Sequence, residues 1–152
     1  MEEKLKKEIL REQLKTMDAA VEVLADSHKR VQLIFEKSKI KLTVEEKESC
    51  EALVARFTRI LDFLFQRVFR TLDKIELQEE GTALDRLNRM EKRGIISSAN
   101  LWQELRELRN EIAHEYLIEE SDRVLIEAHK KSDELFLTAK KIKDYIKNKK
   151  YL

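Results

Sequence analysis

The residues best suited to chemistry lie in one short segment, LRELRNEIAHEY, at positions 105–116. It contains Arg109, Asn110, His114 and Tyr116 within eight positions. A histidine with a pKa near its usual value of about 6.5 can accept the 2′-hydroxyl proton of a ribose or protonate a leaving oxygen. An arginine stabilises the charge that develops on an attacked phosphate, because its guanidinium is a planar fork of donors. These residue types therefore suit cleavage of an RNA phosphodiester without a metal ion.

Helix geometry restricts how these side chains can cooperate. The helix that contains this segment has an apolar stripe formed by Leu101, Leu105, Leu108 and Ile112. At about 100° per residue, Asn110 and His114 point away from this stripe, and Arg109 lies at its edge. Arg109 and His114 are then about 140° apart, so a single regular helix cannot direct both at one phosphate. In one solution the helix ends near His114, so that the imidazole can turn toward Arg109. In the other, a two-fold axis places Arg109 and His114 of a second copy of the chain opposite those of the first.

A purely structural role is the alternative interpretation of the same residues. An arginine and a histidine late in a helix often interact with its negative C-terminal end. Glu107, Glu111 and Glu115 also offer ion-pair partners within a turn of the helix. Because short patterns arise easily by chance, spacing alone favours this structural interpretation.

The segment nevertheless resembles a known motif. Arg109-Asn110-x3-His114-x-Tyr116 is similar to the Arg-x4-His-x-Tyr motif of HepT-type toxins, members of the HEPN family of helical nucleases. The polar stretch around Asp62, with an arginine on either side, also lies where that family places polar residues facing the motif helix. The layout is similar over most of the chain, whereas the specific motif spans eight residues.

The resemblance implies a fold, a function and partners. We expect an up-and-down α-helical bundle that forms a homodimer with the motif at the interface. The implied activity is metal-independent endoribonuclease cleavage of RNA, with Arg109 and His114 catalytic and no cofactor, and we expect Asn110 and Asp62 in support. Asp62 fits equally well as a polar member of a packed interface. The implied antitoxin is a cognate minimal nucleotidyltransferase that attaches AMP to Tyr116.

Composition restricts the fold class, the kind of nucleic-acid site and the expected cellular location of the protein. The chain has 152 residues, no proline and two glycines, which excludes most turn-rich β architectures. Its formal charge of +1 is not that of a constitutive nucleic-acid binder, so any nucleic-acid site must be local. The single cysteine, Cys50, cannot form an internal disulfide, and no apolar run approaches the ~18 residues of a membrane span. We therefore expect a cytoplasmic protein with no membrane contact.

The periodicity of apolar residues predicts five helices in a single domain, residues 1–152, of the all-α class. The first predicted helix runs from Glu2 to about Lys41, and the second from a Thr43–Glu46 capping box to about Gln78. The third runs from Thr82 to Gly94, and the fourth begins at Ser97 or Ser98 and loses its period after His114. The last begins at Ser121 and Asp122. Residues 57–69 carry apolar side chains on more than one face of the second helix. That pattern predicts a helix at the centre of the bundle or at an interface with a partner.

Three other reactive residues receive structural interpretations. His28 lies in the apolar stripe of the first helix, so we expect a hydrogen-bonded, partly buried histidine. His129 lies among charged residues and is expected on a solvated face. Cys50 has no nearby base or cation to activate its thiol, and we expect it to be structural.

Two functions from different classes therefore compete. One is a HEPN-like endoribonuclease toxin. The other is a non-catalytic subunit that binds nucleotide or substrate for a nucleotidyltransferase. The presence of the arginine, histidine and tyrosine together favours the enzyme, because a pure binding module has no chemical need for all three. RNA cleavage by the purified protein separates the two hypotheses.

Overall fold

A computed structural model describes residues 1–37, 41–114 and 121–152, and these form an all-α arrangement with no strand in the described ranges. The elements are α1 (Glu2–Glu36), α2 (Val44–Phe63), a π-helical turn (Leu64–Val68), α3 (Phe69–Ile75), α4 (Ala83–Lys92), α5 (Ala99–His114) and α6 (Ser121–Lys149). The backbone stays in the right-handed helical region through both ends of the π-helical turn, so α2, the turn and α3 form one continuous helix. The prediction of an all-α chain with five helices is confirmed for the described residues.

The helix starts follow the capping residues that the sequence indicates. The Thr43 hydroxyl accepts from the Glu46 backbone N–H at 3.1 Å, and the Glu46 carboxylate accepts from the Thr43 N–H at 2.9 Å. Thr82 and Asp85 form the same reciprocal pair at the start of α4, at 3.2 and 2.8 Å. Of the two serines before α5, Ser98 provides the cap. Each such cap stabilises its helix by about 1 kcal/mol.

Helix ends depart further from the predictions. α1 ends at Glu36 rather than near Lys41, and α3 ends at Ile75 rather than near Gln78. α3 ends in a tight turn in which Leu77 adopts a left-handed backbone conformation, with φ of 57°. Gly94 adopts φ of 76° after α4, the position where the sequence predicts a helix-ending glycine.

The continuous helix formed by α2, the π-helical turn and α3 lies at the centre of the bundle. It packs against α1, α4, α5 and α6. Its buried apolar side chains include Phe57, Ile60, Leu61, Leu64, Phe65, Val68, Phe69 and Leu72. The sequence left two explanations for this multi-sided apolar pattern, and packing within the chain accounts for it. A partner is therefore not needed to cover these residues.

A buried ion cluster connects the end of this central helix to α4. Asp73 is only 1% exposed, and its carboxylate accepts hydrogen bonds from Arg89 at 2.8 and 3.0 Å and from Arg93 at 2.7 Å. Arg86 lies 3.6 Å from the same carboxylate. Because a buried carboxylate is costly unless it is paired, three arginines around one aspartate fix the α3–α4 corner.

Two histidines stack where α1 meets α6. The rings of His28 and His129 are parallel within 5°, with centroids 3.9 Å apart. Each Nε2 lies within 3.2 Å of the other residue's backbone carbonyl, and since a carbonyl only accepts, each Nε2 donates. The prediction for His28 is confirmed. The prediction for His129 is wrong: α6 turns this residue onto α1, and burial lowers its pKa, with the neighbouring His28 acting in the same direction.

Cys50 is buried on α2. Burial raises the pKa of its thiol, and the nearby carboxylates of Glu46, Asp122 and Glu51 raise it further. The thiol is therefore protonated and poorly nucleophilic, as expected for a structural cysteine. No helix in the described part of the chain is both long enough and apolar enough to cross a bilayer.

Candidate functional site

α5 carries the motif residues, and its packing decides which of them are accessible. Trp102 is fully buried, and its indole N–H donates to the Thr138 hydroxyl of α6 at 3.2 Å. The buried stripe runs from Trp102 through Leu105 to Leu108, whereas Leu101 and Ile112 are half-buried. The stripe is therefore rotated slightly from the predicted one.

That rotation leaves the motif residues at or beyond the edge of the core. Asn110 and His114 are exposed, as predicted, and Arg109 is half-buried. Tyr116 lies outside the described residues.

Arg109 is clamped by an aspartate from the central helix. Its Nε donates to the two carboxylate oxygens of Asp62 at 2.9 and 3.1 Å, and its Nη2 donates to Oδ2 at 2.9 Å. Such a forked pair fixes the plane of the guanidinium as well as its position. Hydrogen bonding to Asp62 raises the pKa of Arg109, and the charge of the carboxylate adds to that effect. Asp62, expected to support the motif, thus contacts it directly.

A groove of about 520 Å³ opens beside this pair. Its walls come from α2, the π-helical turn and α5. The lining residues are Arg59, Leu61, Asp62, Phe63, Phe65, Gln66, Arg67, Arg106, Arg109 and Asn110. Four arginines face one aspartate, so the groove has a formal excess of three positive charges on a chain whose net charge is +1. This groove is a local concentration of positive charge, the only form in which the net charge allows a nucleic-acid site.

Arg106 is a groove residue that the sequence did not single out. Its guanidinium carbon lies 3.9 Å above the ring centroid of Phe65, so the two planar groups stack. Burial lowers the pKa of Arg106, and the neighbouring Arg109 lowers it further while Asp62 opposes both. Its position one turn before Arg109 was visible in the sequence. Its stacking partner was not, because Phe65 lies 41 positions earlier in the chain.

The π-helical turn forms one wall of the groove. Three of its five residues, Phe65, Gln66 and Arg67, are lining residues. Turns of this kind interrupt the regular helical period and occur often at functional sites. Periodicity predicts an uninterrupted helix here, so the turn is a feature that sequence reasoning missed.

His114 is exposed and does not line the groove. α5 remains α-helical as far as His114, so the separation of about 140° between this residue and Arg109 holds in the structure. One chain therefore brings together Arg109, Asn110 and Asp62, and leaves His114 on another side of the same helix. Within the described ranges, no group of three or more histidine, cysteine, aspartate or glutamate residues is arranged to hold a metal ion.

Fold and site together define an all-α bundle with an arginine-lined groove and, on another side of α5, an exposed histidine. No family model matches the chain, no curated protein is similar to it, and no solved structure is similar to it. The function is therefore inferred from the residues and geometry of this groove.

Proposed function

We propose that this chain is a metal-independent endoribonuclease, the toxin of a HEPN-type pair whose antitoxin is a minimal nucleotidyltransferase. The observation that supports this most strongly is the clamped Arg109 at the edge of a cationic groove. A guanidinium held by Asp62 is oriented before substrate arrives, so little side-chain entropy is lost when a phosphate binds.

Arg109 retains donors for a ligand. A guanidinium has five N–H groups. Asp62 engages Nε and one hydrogen of Nη2, and Nη1 has no hydrogen-bond partner among the described residues. In this proposal the free edge of Arg109 stabilises the charge on the phosphate that is attacked.

His114 supplies proton transfer in the proposed reaction. It is exposed, so its imidazole can exchange protons with solvent between turnovers. It takes the 2′-hydroxyl proton as the ribose oxygen attacks phosphorus, or protonates the 5′-oxygen that leaves. Because His114 lies outside its own groove, we propose that two copies associate about a two-fold axis and that each contributes its histidine to the groove of the other.

The antitoxin half of the proposal rests on the resemblance of the motif. AMP attached to Tyr116 would add a negatively charged phosphate and a bulky nucleotide to the motif, and in this proposal that phosphate competes with RNA for the donors of Arg109. This proposal places the antitoxin's action at the site that binds substrate. Peptide mass spectrometry after coexpression with a neighbouring nucleotidyltransferase tests it, and an unmodified Tyr116 in a neutralised toxin would contradict it.

The nuclease proposal is tested by cleavage of a labelled RNA in the presence of EDTA. We expect the parental protein to cleave, and the variants Arg109→Lys and His114→Ala to lose at least about 100-fold of that activity, because general acid–base catalysis alone contributes about 10²–10⁴-fold. Arg11→Lys is the matched control, since Arg11 is an exposed arginine of α1 that does not line the groove. Parental cleavage by both motif variants, or complete inhibition by EDTA, would refute the proposal.

A second function is favoured by one feature of the same site. The clamp already occupies two of the three nitrogens of Arg109, as a structural ion pair would. A non-catalytic subunit that binds RNA or nucleotide in the groove would need nothing more. Such a protein binds RNA without cleaving it, which the assay above distinguishes.

A further inference from the structure

The groove holds an arginine, Arg106, whose guanidinium donates to no hydrogen-bond acceptor in the part of the chain that the structure describes. Arg106 is half-buried and stacked on Phe65, and it forms no ion pair with any described residue. The one acidic side chain in the groove, Asp62, is already engaged by Arg109. A partly desolvated cation that forms no direct ion pair is costly, and a bound anion would reduce that cost.

The positions of the other arginines favour a ligand with several negative charges. Arg106 and Arg109 are three residues apart on α5, which places their Cβ atoms about 5–6 Å apart on one face of the helix. Arg59 and Arg67 line the opposite wall, are exposed, and have no ion-pair partner within the described ranges. Four arginines from two walls therefore favour a ligand that carries several negative charges, such as a chain of phosphates.

The apolar lining distinguishes a nucleic acid from an acidic peptide. Phe63 lines the groove and is half-buried, so part of its ring remains accessible next to the arginines. A positive groove combined with an accessible aromatic ring is the usual arrangement for single-stranded nucleic acid, because bases stack on the ring while phosphates contact the cations.

We infer that Arg106 binds the phosphodiester next to the one contacted by Arg109, and so sets the register of a single RNA strand in the groove. This inference rests on the proposed function and assigns Arg106 a positioning role. The contact with Phe65, in which the guanidinium carbon lies 3.9 Å above the ring centroid, restrains the position of Arg106 before RNA binds. Arg59 and Arg67 contact the backbone on the other wall.

The test is a binding measurement that does not depend on cleavage. The probe is a fluorescein-labelled 12-nucleotide RNA with every ribose 2′-O-methylated, which has no free 2′-hydroxyl and is not cut. Fluorescence anisotropy should show that Arg106→Gln weakens binding at least tenfold. The slope of log Kd against log salt concentration should fall by about 0.7, the value for one lost contact to a single strand. Arg11→Gln is the matched control and should leave both quantities unchanged.

Further measurements show whether the variant is folded and whether the groove prefers RNA to an acidic peptide. Circular dichroism establishes that Arg106→Gln is folded, and the exposed variant Arg67→Gln should weaken binding severalfold without touching Phe65. Competition with polyglutamate of equal charge should displace the RNA poorly. Equal displacement by polyglutamate, absence of RNA binding by the parental protein, or unaltered affinity in a folded Arg106→Gln variant would each overturn the inference.

Failure of the inference and failure of the nuclease proposal give different results. If the parental protein cleaves unmodified RNA and Arg106→Gln leaves KM unchanged, only the role of Arg106 is wrong. If the parental protein binds the 2′-O-methylated strand through Arg106 but cuts no RNA, the binding role of Arg106 is supported and the nuclease proposal is wrong.

Discussion

Replacing Asp62 with asparagine separates positioning of Arg109 from stabilisation of the fold. The amide keeps the size of the carboxylate but carries no charge and has one accepting oxygen, so it cannot form the two parallel bonds in which Oδ1 accepts from Nε and Oδ2 accepts from Nη2, each at 2.9 Å. Its NH2 group also faces guanidinium donors and repels them. The guanidinium plane would then be free to rotate.

The expected loss of stability in Asp62→Asn is small, whereas the expected loss of cleavage rate is large. The side chains of Arg109 and Asp62 are 34% and 39% exposed, so the pair is well screened and contributes about 0.2–1 kcal/mol to the free energy of unfolding. For a domain of this size, a loss of about 1 kcal/mol lowers Tm by about 2–4 °C. A catalytic group displaced by about 1 Å, by contrast, reduces turnover by about 100-fold. We therefore expect Asp62→Asn to be nearly as stable as the parental protein and to cleave RNA about 100-fold more slowly.

Thermal melting and a single-turnover cleavage assay measure these two quantities. The matched control is Asp26→Asn, which weakens another exposed Arg–Asp pair, that between Asp26 and Arg30 on α1, and should leave cleavage unchanged. Parental cleavage by Asp62→Asn would refute the positioning role of the clamp. A drop in Tm above about 10 °C would show instead that the pair is chiefly structural.

Three further predictions concern stability. Asp73→Asn should lower the free energy of unfolding by about 3–5 kcal/mol in a urea titration, because it removes the buried charge that the half-buried Arg89 and Arg93 contact. A parental unfolding curve would contradict the role given to this cluster. Burial lowers the pKa of His129, so the folded state binds protons less readily than the unfolded state, and stability should fall as the pH drops below about 6.5. His129→Gln should reduce this pH dependence of the free energy of unfolding. An unaltered pH profile in that variant would contradict the role given to His129. Leu77 adopts φ of 57°, which is strained for leucine, and its side chain is 81% exposed. Leu77→Gly should therefore raise Tm by about 2–4 °C, because glycine removes the strain and little apolar burial is lost. A lower Tm would show that the larger unfolded-state entropy of glycine dominates.

Sequence reasoning succeeded where the determining interactions are local. The capping box at Thr43, the helix start at Thr82 and the left-handed Gly94 depend on residues within one turn of the helix, so the pattern of types is sufficient to predict them. The exposure of Asn110 and His114 also followed from helical phase alone. The helix ends near Glu36 and Ile75 were less predictable, since apolar periodicity continues beyond both of them.

Contacts between residues that are distant in the chain could not be predicted from the sequence. His129 has charged sequence neighbours, and only the packing of α6 on α1 places it against His28, 101 positions earlier. The stack of Arg106 on Phe65 and the π-helical turn that presents Phe65 have the same origin. Asp62 could be nominated from its type and from the resemblance, but its forked contact with Arg109 required the packing of α5 on the central helix.

The separation of Arg109 from His114 leads to a test of how many chains build one site. In a two-fold dimer with shared sites, each site joins the arginine of one copy to the histidine of the other. A heterodimer of Arg109→Lys and His114→Ala chains then contains one site with both substitutions and one site with neither. Coexpression of the two chains with different affinity tags, followed by purification on both, yields this heterodimer.

We expect the heterodimer to cleave RNA at about half the parental rate, although each homodimer of the variants is inactive, because one of its two sites is intact. Parental chains carrying the same two tags are the control. If each chain instead built its own site from Arg109 and His114, every site in the heterodimer would carry one substitution and none would function. An inactive heterodimer would therefore refute the shared site, and failure to recover any protein that carries both tags would refute the dimer itself.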